Sequence, residues 1–222
     1  FKEILSLDLY QLLKPCQSLF KLSKMKQPDL ENFVGIHNRK YCDGGQCIRL
    51  YKTFMKKKDP EAANIVMGHN EEDLLGLGTI FSLLAYKKLY DGEYHPKQCV
   101  ILEQELKIVI ELSAAAPVNV SCGNSDFYLS VNGYEARMLV HLKEGKLRQY
   151  YRNYKDYEFI PGEDTAMPKS ITRYMDKSLK IATTPQTCYT WFNCDEDFLN
   201  NEKKQMQYLT HTLPFLLDNL NK

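Results

Sequence analysis

The sequence predicts an α+β chain, with a mostly helical first part, an antiparallel β-rich second part and a closing helix. Three observations carry this. In the first part apolar residues recur at three- and four-residue intervals, with helix-start signals at Pro28-Asp29-Leu30-Glu31 and Asp59-Pro60-Glu61. From Glu105 they alternate instead, at Leu106, Ile108, Ile110 and Leu112. Near the end Phe198, Met206, Leu209, Leu213 and Leu217 fall on one helical stripe.

Taken in order, Ile4 to Leu13 is apolar and suits a buried strand running into a short helix, which the pattern alone does not decide; Pro15 ends it. Leu19 to Met25 is a short amphipathic piece. The helix opened by Pro28 is expected to stop at Gly35. A loop follows from His37 through Cys42 and Asp43 to Gly45. Gln46 to Lys57 is expected to be a helix with Ile48, Tyr51 and Met55 inward and Lys56-Lys57-Lys58 as its solvated end. The helix opened by Asp59 leads to Gly68, and a separate helix, His69 to Tyr90, is expected to begin there with Asn70 as its cap. Asp91-Gly92 breaks the pattern, which places a boundary at residues 91–98 and two domains at 1–92 and 93–222. Beyond it, strands are expected at Asn119–Cys122, Asp126–Val131, Ala136–Leu142, Lys146–Tyr151 and Asp156–Ile160, with hairpin turns at Asn132-Gly133 and Glu144-Gly145. A short helix is expected over Met167–Met175, extended chain over Leu179–Phe192, and one helix over Asp195–Leu220.

Composition excludes more than it selects. The chain has 222 residues, 44% hydrophobic and 26% charged, which suits an ordinary globular protein. The net charge of +1 offers no global attraction to a polyanion, so nucleic-acid affinity needs a local patch. No apolar run reaches membrane-spanning length. Seven scattered cysteines without a CxxC pair argue against zinc, and an odd count without a secretory signal points to reduced thiols in a cytoplasm. The start at Phe1 reads as a trimmed chain or fragment.

The stretch with the most chemistry is Gly68-His69-Asn70-Glu71-Glu72-Asp73. Asp73 shares a face with Leu77, Ile80, Phe81 and Leu84, and His69 lies one turn before it. Two readings stay open on spacing alone: an N-terminal capping arrangement, or a metal-binding carboxylate beside a general base. Gly76 and Gly78 lack the Lys-Ser/Thr of a phosphate loop and suit close helix packing. Arg39 and Lys40, with His37, are placed to reach a phosphate from a loop. Arg148-Gln149-Tyr150-Tyr151-Arg152-Asn153-Tyr154-Lys155 interleaves bases with aromatics. That suits phosphate contact and stacking on a single strand; the other reading is a strand with outward Arg and inward Tyr, followed by a polar turn. Cys188 has no evident His partner, so it makes a poor nucleophile.

The ordered series Leu7-Asp8-Leu9-Tyr10, Leu30-Glu31, Gly35-Ile36, Arg39, Gly44-Gly45, Leu50-Tyr51 and His69-Asn70-Glu71-Glu72-Asp73-Leu74-Leu75 resembles the later half of the YprB-type ribonuclease-H-like domain, a predicted exonuclease family of the four-carboxylate DEDD superfamily. Asn153 to Tyr157, Glu163 to Ala166 and Cys188-Tyr189-Thr190 resemble the extension that follows that domain in some members. The resemblance implies a partial ribonuclease-H-like α/β region, mostly helical here, and a 3′–5′ exonuclease that uses Mg²⁺ or Mn²⁺. It implies Asp73 as metal ligand and His69 as the residue acting on the attacking water. It also implies nucleic acid as partner, for which Arg39, Lys40, Arg148, Tyr151, Arg152, Tyr154 and Lys155, read from the residue pattern above, are the candidate contacts. Asp8 is at most a rim residue. The family's Asp-x-Glu pair on its first strand and its early Asn-containing Asp motif are absent. Metal binding by this chain is therefore expected to be weak or absent, unless an N-terminal region or second chain completes the fold. The alternative is a non-catalytic nucleic-acid-binding or scaffold module.

Overall fold

The computed structural model describes residues 6–41 and 44–220. Ile4, Leu5, Cys42 and Asp43 of the readings above lie outside the described residues. The chain divides into two compact units, Phe1–Leu84 and Ala85–Lys222.

The first unit is helical. Asp8 caps α1 (Leu9–Leu13), its Oδ1 accepting from Gln11 N at 3.1 Å. The undecided apolar run is thus a helix from Leu9 on. A 3₁₀ turn leads to α2 (Gln17–Phe20), which stops at Lys21 in the left-handed region. In α3 (Gln27–Phe33) Pro28 sits in the first turn and Asp29 accepts from Lys26 N at 3.0 Å. Gly35, at φ +92°, reverses the chain as expected, and Ile36 N donates back to Glu31 O at 2.8 Å.

Helix α4 (Gly44–Lys57) forms where expected but presents another face. Ile48, Tyr51 and Met55 are each at least half exposed, whereas Cys47 is buried and Leu50 and Phe54 are half-buried. The helix carries two apolar stripes of equal spacing, and periodicity does not rank them.

The break expected at Gly68 does not exist. Helix α5 runs unbroken from Pro60 to Ile80, capped by Asp59, which accepts from Glu61 N at 3.0 Å. No proline follows Pro60 within the helix, and an interior glycine costs only about 1 kcal/mol against alanine. Asn70 is therefore an exposed interior residue rather than a cap, and Glu71, Glu72 and Asp73 lie far from the positive end of the dipole. The expected core stripe is only partly inward: Ile80 is buried, but Leu77 and Phe81 are exposed. The buried line runs instead through Ala62, Gly68, His69, Gly76 and Ile80. These are mostly small residues, which let α3 and α4 approach. Met67, Leu74 and Leu75 stay exposed, so α5 is apolar around much of its circumference yet buries one side.

The second unit opens with α6 (Leu84–Asp91) and turns at Gly92, φ +85°. Strands β1 (Tyr94–Leu102), β2 (Glu105–Gly123) and β3 (Phe127–His141) form an antiparallel meander in that order. The sequence reading places no strand at β1, whose Pro96 and Lys97 obscure any alternation. Leu106, Ile108, Ile110 and Leu112 are buried as expected, and Ile108 pairs with Met138 and Ile110 with Ala136. Asn132-Gly133 is not a hairpin turn. It lies inside β3, where Gly133, at φ +54°, faces Ala116 at a bulge, so Asp126–Val131 and Ala136–Leu142 belong to one strand. Asn119–Cys122 likewise continues β2. Glu144-Gly145 is a true two-residue turn, with both φ positive and Lys143 bridged to Lys146.

Strand β4 (Lys146–Tyr150) follows, then β5 (Tyr157–Ile160), β6 (Thr165–Pro168), α7 (Lys169–Thr172), β7 (Ile181–Ala182) and β8 (Tyr189–Asn193). Strands β4 and β8 pair, and β6-β5-β7 form a small antiparallel sheet. The closing helix is two helices, α8 (Glu196–Leu199) and α9 (Glu202–Asp218), because Asp195 and Asn201 each cap a start. Phe198, Leu209, Leu213 and Leu217 are buried as read. Met206 is only half-buried, and its neighbour Gln205 turns inward to donate to Phe198 O at 2.9 Å and Leu199 O at 2.8 Å.

Candidate functional site

Three of the residues singled out in the first unit converge. Arg39 reaches out from the segment after α3 and bridges two helices. Its Nε and Nη2 donate to the two oxygens of Glu31 at 2.7 Å each, and its Nη1 lies 2.7 Å from Asp73 Oδ1. The second oxygen of Asp73 stands 3.5 Å from His69 Nε2 on the same helix. Gln27 ties the cluster to both helices, its Nε2 donating to Glu31 Oε1 at 2.9 Å and to Asp73 O at 2.8 Å.

Local sequence explains the placement. Glu72 accepts from the backbone N–H groups of Lys40 and Tyr41, at 2.8 and 3.3 Å, which pins the segment carrying Arg39. The Tyr41 ring covers Gly68, where any Cβ would collide with it. At Gly76 a Cβ would run into the Glu31 carboxylate and stand 3.1 Å from Gln27 Nε2. The packing role read for Gly76 is therefore real, while Gly78 faces nothing within 4 Å. Because Arg39 and Gln27 hold the Glu31 carboxylate, it has no easy retreat. Gly76→Ala should cost about 1–3 kcal/mol by overpacking, against at most about 1 kcal/mol gained in helix propensity. Urea unfolding checks the sign; a stabilised variant would mean that Glu31 moves freely.

The cluster is strongly polar and unevenly exposed. The Glu31 side chain is 3% exposed and that of Asp73 36%. The Arg39 guanidinium holds the Glu31 carboxyl below the usual carboxylate range, and Glu31 in turn raises the pKa of Arg39. His69 is buried, and its Nδ1 has no hydrogen-bond partner among the described residues. A cavity of about 190 Å³ opens beside Arg39, Glu72 and Gly76. Sequence reasoning gave Glu31 no site role and passed over Gln27. The signal that marks both is Gly76, three residues past Asp73, where a bulky partner must press on the helix.

Asp8 serves α1 as its cap, and no contact between it and the cluster is recorded among the described residues. Lys40 is exposed. In the second unit the Arg/Tyr run is divided among four places. The Arg148 guanidinium lies over the rings of Tyr189 (4.7 Å) and Trp191 (5.0 Å). Tyr151 stacks on Tyr157 at 5.1 Å, and its hydroxyl accepts from Gln149 Nε2 at 2.7 Å. Arg152 donates to Asp218 at 3.1 Å and to the Tyr90 hydroxyl at 3.2 Å. Tyr154 and Lys155 line a cleft with Lys169, Lys177 and Lys180. Burial pushes the Cys188 thiol up to about 11, which disfavours it as a nucleophile at neutral pH. No helix among the described residues is long and apolar enough to cross a membrane.

Asp73 alone is too little for a metal centre. Among the described residues no group of three or more His, Cys, Asp or Glu stands close enough to hold an ion, and Arg39 already engages one Asp73 oxygen. The described residues thus do not fit a self-contained two-metal site.

Residues 2–85 match the family model RNase_H_2, of the RNase_H superfamily. No curated protein and no solved structure matches the chain. The match spans less than half of the chain and falls on the helical first unit, where it supports a ribonuclease-H-like domain.

Proposed function

We propose that the first unit is the distal part of a ribonuclease-H-like domain that cleaves nucleic-acid phosphodiesters, in the manner of a YprB-type 3′–5′ exonuclease. The observation that carries this reading is the Glu31–Arg39–Asp73–His69 chain inside the matched segment. A buried carboxylate locks an arginine, which fixes an accessible carboxylate one helical turn from a histidine. Such a fixed, partly exposed carboxylate suits reaction chemistry better than a simple helix cap.

In this reading Asp73 is one ligand of Mg²⁺ or Mn²⁺, with the other carboxylates supplied by an N-terminal region or a second chain. The ion would supply charge stabilisation at the phosphate. Arg39 sets the orientation of Asp73, and His69 Nε2 is the atom placed to hold or pass a proton. Lys40 contributes charge toward a strand. In the second unit Tyr154 and Lys155, beside Lys169 and Lys177, offer aromatic and cationic contact of the kind single strands use. That lysine-lined cleft, together with the short donor set around Asp73, favours the second reading, a non-catalytic nucleic-acid-binding module.

The deciding experiment is a Mn²⁺-dependent cleavage assay on 5′-labelled single-stranded and duplex DNA and RNA. It would use the longest natural form of the protein, with this 222-residue chain and an EDTA control alongside. The longer form is expected to shorten strands from the 3′ end, and this chain to bind strands without cutting them. Strand binding without metal-dependent cleavage in either form would reject the nuclease and leave the binding module.

A further inference from the structure

A second place in the molecule is built for a ligand, and it lies wholly within the second unit. A cavity of about 310 Å³ sits among β3, β4, β8 and α9. That is the lower end of the ~300–1,000 Å³ range of small-ligand pockets, room for one small organic molecule and not for a duplex. Lys143, Lys146 and Arg148 line it with the carboxylate of Asp126, and Asp164, which does not line it, stands 3.9 Å from Lys143 Nζ, so the cations still outnumber the carboxylates. Phe127 and Trp191 add flat apolar surface.

The polar groups there are fixed but incompletely satisfied. Trp191 Nε1 donates to Asp164 O at 2.8 Å, which sets the indole plane. Arg148 lies over that ring and over Tyr189, and its buried Nε has no hydrogen-bond partner. Lys143 Nζ stands 5.4 Å from the centre of the Trp191 ring. Tyr208, which also lines the cavity, is fully buried, with its hydroxyl against the Thr212 side chain. Burial raises the pKa of that hydroxyl, so it is a donor at any physiological pH. The Arg148 Nε, buried and unpaired on the cavity wall, favours an occupant with an acceptor atom.

We propose that this cavity binds a nucleotide, with the phosphate on Lys143, Lys146 and Arg148 and the base against Phe127 and Trp191. The excess of cations requires an anion, the aromatic walls require a flat ring, and the volume limits the ligand to one such unit. A free nucleoside monophosphate and the end of a single strand share this chemistry. The inference does not rest on the nuclease reading of the first unit.

Trp191 is the chain's one tryptophan, so its emission reports the cavity directly. The intact chain would be titrated with adenosine and uridine monophosphates, with adenosine, with inorganic phosphate and with a short single-stranded oligonucleotide. The expected result is a saturable emission change with the monophosphates or the oligonucleotide, at least about tenfold weaker with adenosine or phosphate alone. Lys146→Glu, an exposed position at the start of β4, should weaken binding about tenfold or more while leaving the fold's circular dichroism unchanged. A response to the monophosphates identifies a free nucleotide as ligand, and a response to the oligonucleotide alone identifies a strand end. No saturable change with either, phosphate binding as well as the nucleotide, or a Lys146→Glu variant that binds like the native chain would each overturn the proposal.

Discussion

Glu31→Ala is expected to destabilise the first unit by about 3 kcal/mol, measured by urea denaturation. Breaking one partner of a buried ion pair costs roughly 3–5 kcal/mol, because the remaining charge stays desolvated. The lower end applies here, since Arg39 is 23% exposed and keeps Asp73 as a partner. Gln27 also loses one of its two acceptors. The same carboxylate predicts an acid response. Arg39 first, and Gln27 after it, lower the folded pKa of Glu31 from its ordinary 4.5, while burial opposes them. A lowered folded pKa means that the unfolded chain binds more protons in the window between the two values, so stability rises with pH there. The contribution is therefore complete above pH 4.5 and lost as pH falls through the folded pKa. Glu31→Gln should flatten this acid limb and leave the neutral-pH baseline lower. A cost below about 1 kcal/mol for Glu31→Ala, or an acid limb that survives Glu31→Gln, would show that the pair is looser than its 2.7 Å contacts indicate.

How far the sequence could be read depends on which physical rule each segment obeys alone. The β2 alternation at Leu106, Ile108, Ile110 and Leu112 was legible because a sheet with one buried face enforces a two-residue period. The α9 stripe was legible for the analogous helical reason. Asn132-Gly133 misled because its conformational freedom serves a bulge as well as a turn, and only the pairing of Ala116 with Gly133 decides between them. Helix α5 misled twice. Gly68 looked like a boundary but is a landing place for Tyr41, and the bulky stripe looked like core while the small one is buried. Both errors have one cause: close approach selects small residues, which hydrophobic periodicity undercounts. The site shows the same limit. His69 and Asp73 were visible from their one-turn spacing, but Glu31 and Gln27 are brought to Asp73 from more than forty residues away by packing that no local pattern records.

Asp73→Asn separates the two meanings of that cluster. If Asp73 only balances Arg39, the substitution matters little for any activity. Asparagine keeps the size and can still accept from Arg39 through its Oδ1, and Arg39 retains its bidentate hold on Glu31. The Asp73 side chain is 36% exposed, so losing its charge should cost no more than about 1 kcal/mol of stability. If Asp73 works at the reaction centre, the same substitution should lower metal-dependent cleavage at least about 100-fold in the active form, the scale of losing one charge-stabilising group. The expected outcome is this pairing of a near-native unfolding midpoint with a collapsed rate. His69→Gln, which keeps a polar group one turn away, should depress the rate by a smaller factor, because a group able to take up and pass a proton has been replaced by one that is not. Cleavage that survives Asp73→Asn would return the carboxylate to a purely structural role. Loss of cleavage together with a large fall in stability would show that the variant tests the fold, and Glu31→Gln then becomes the necessary comparison, since it weakens the same latch without touching the accessible carboxylate.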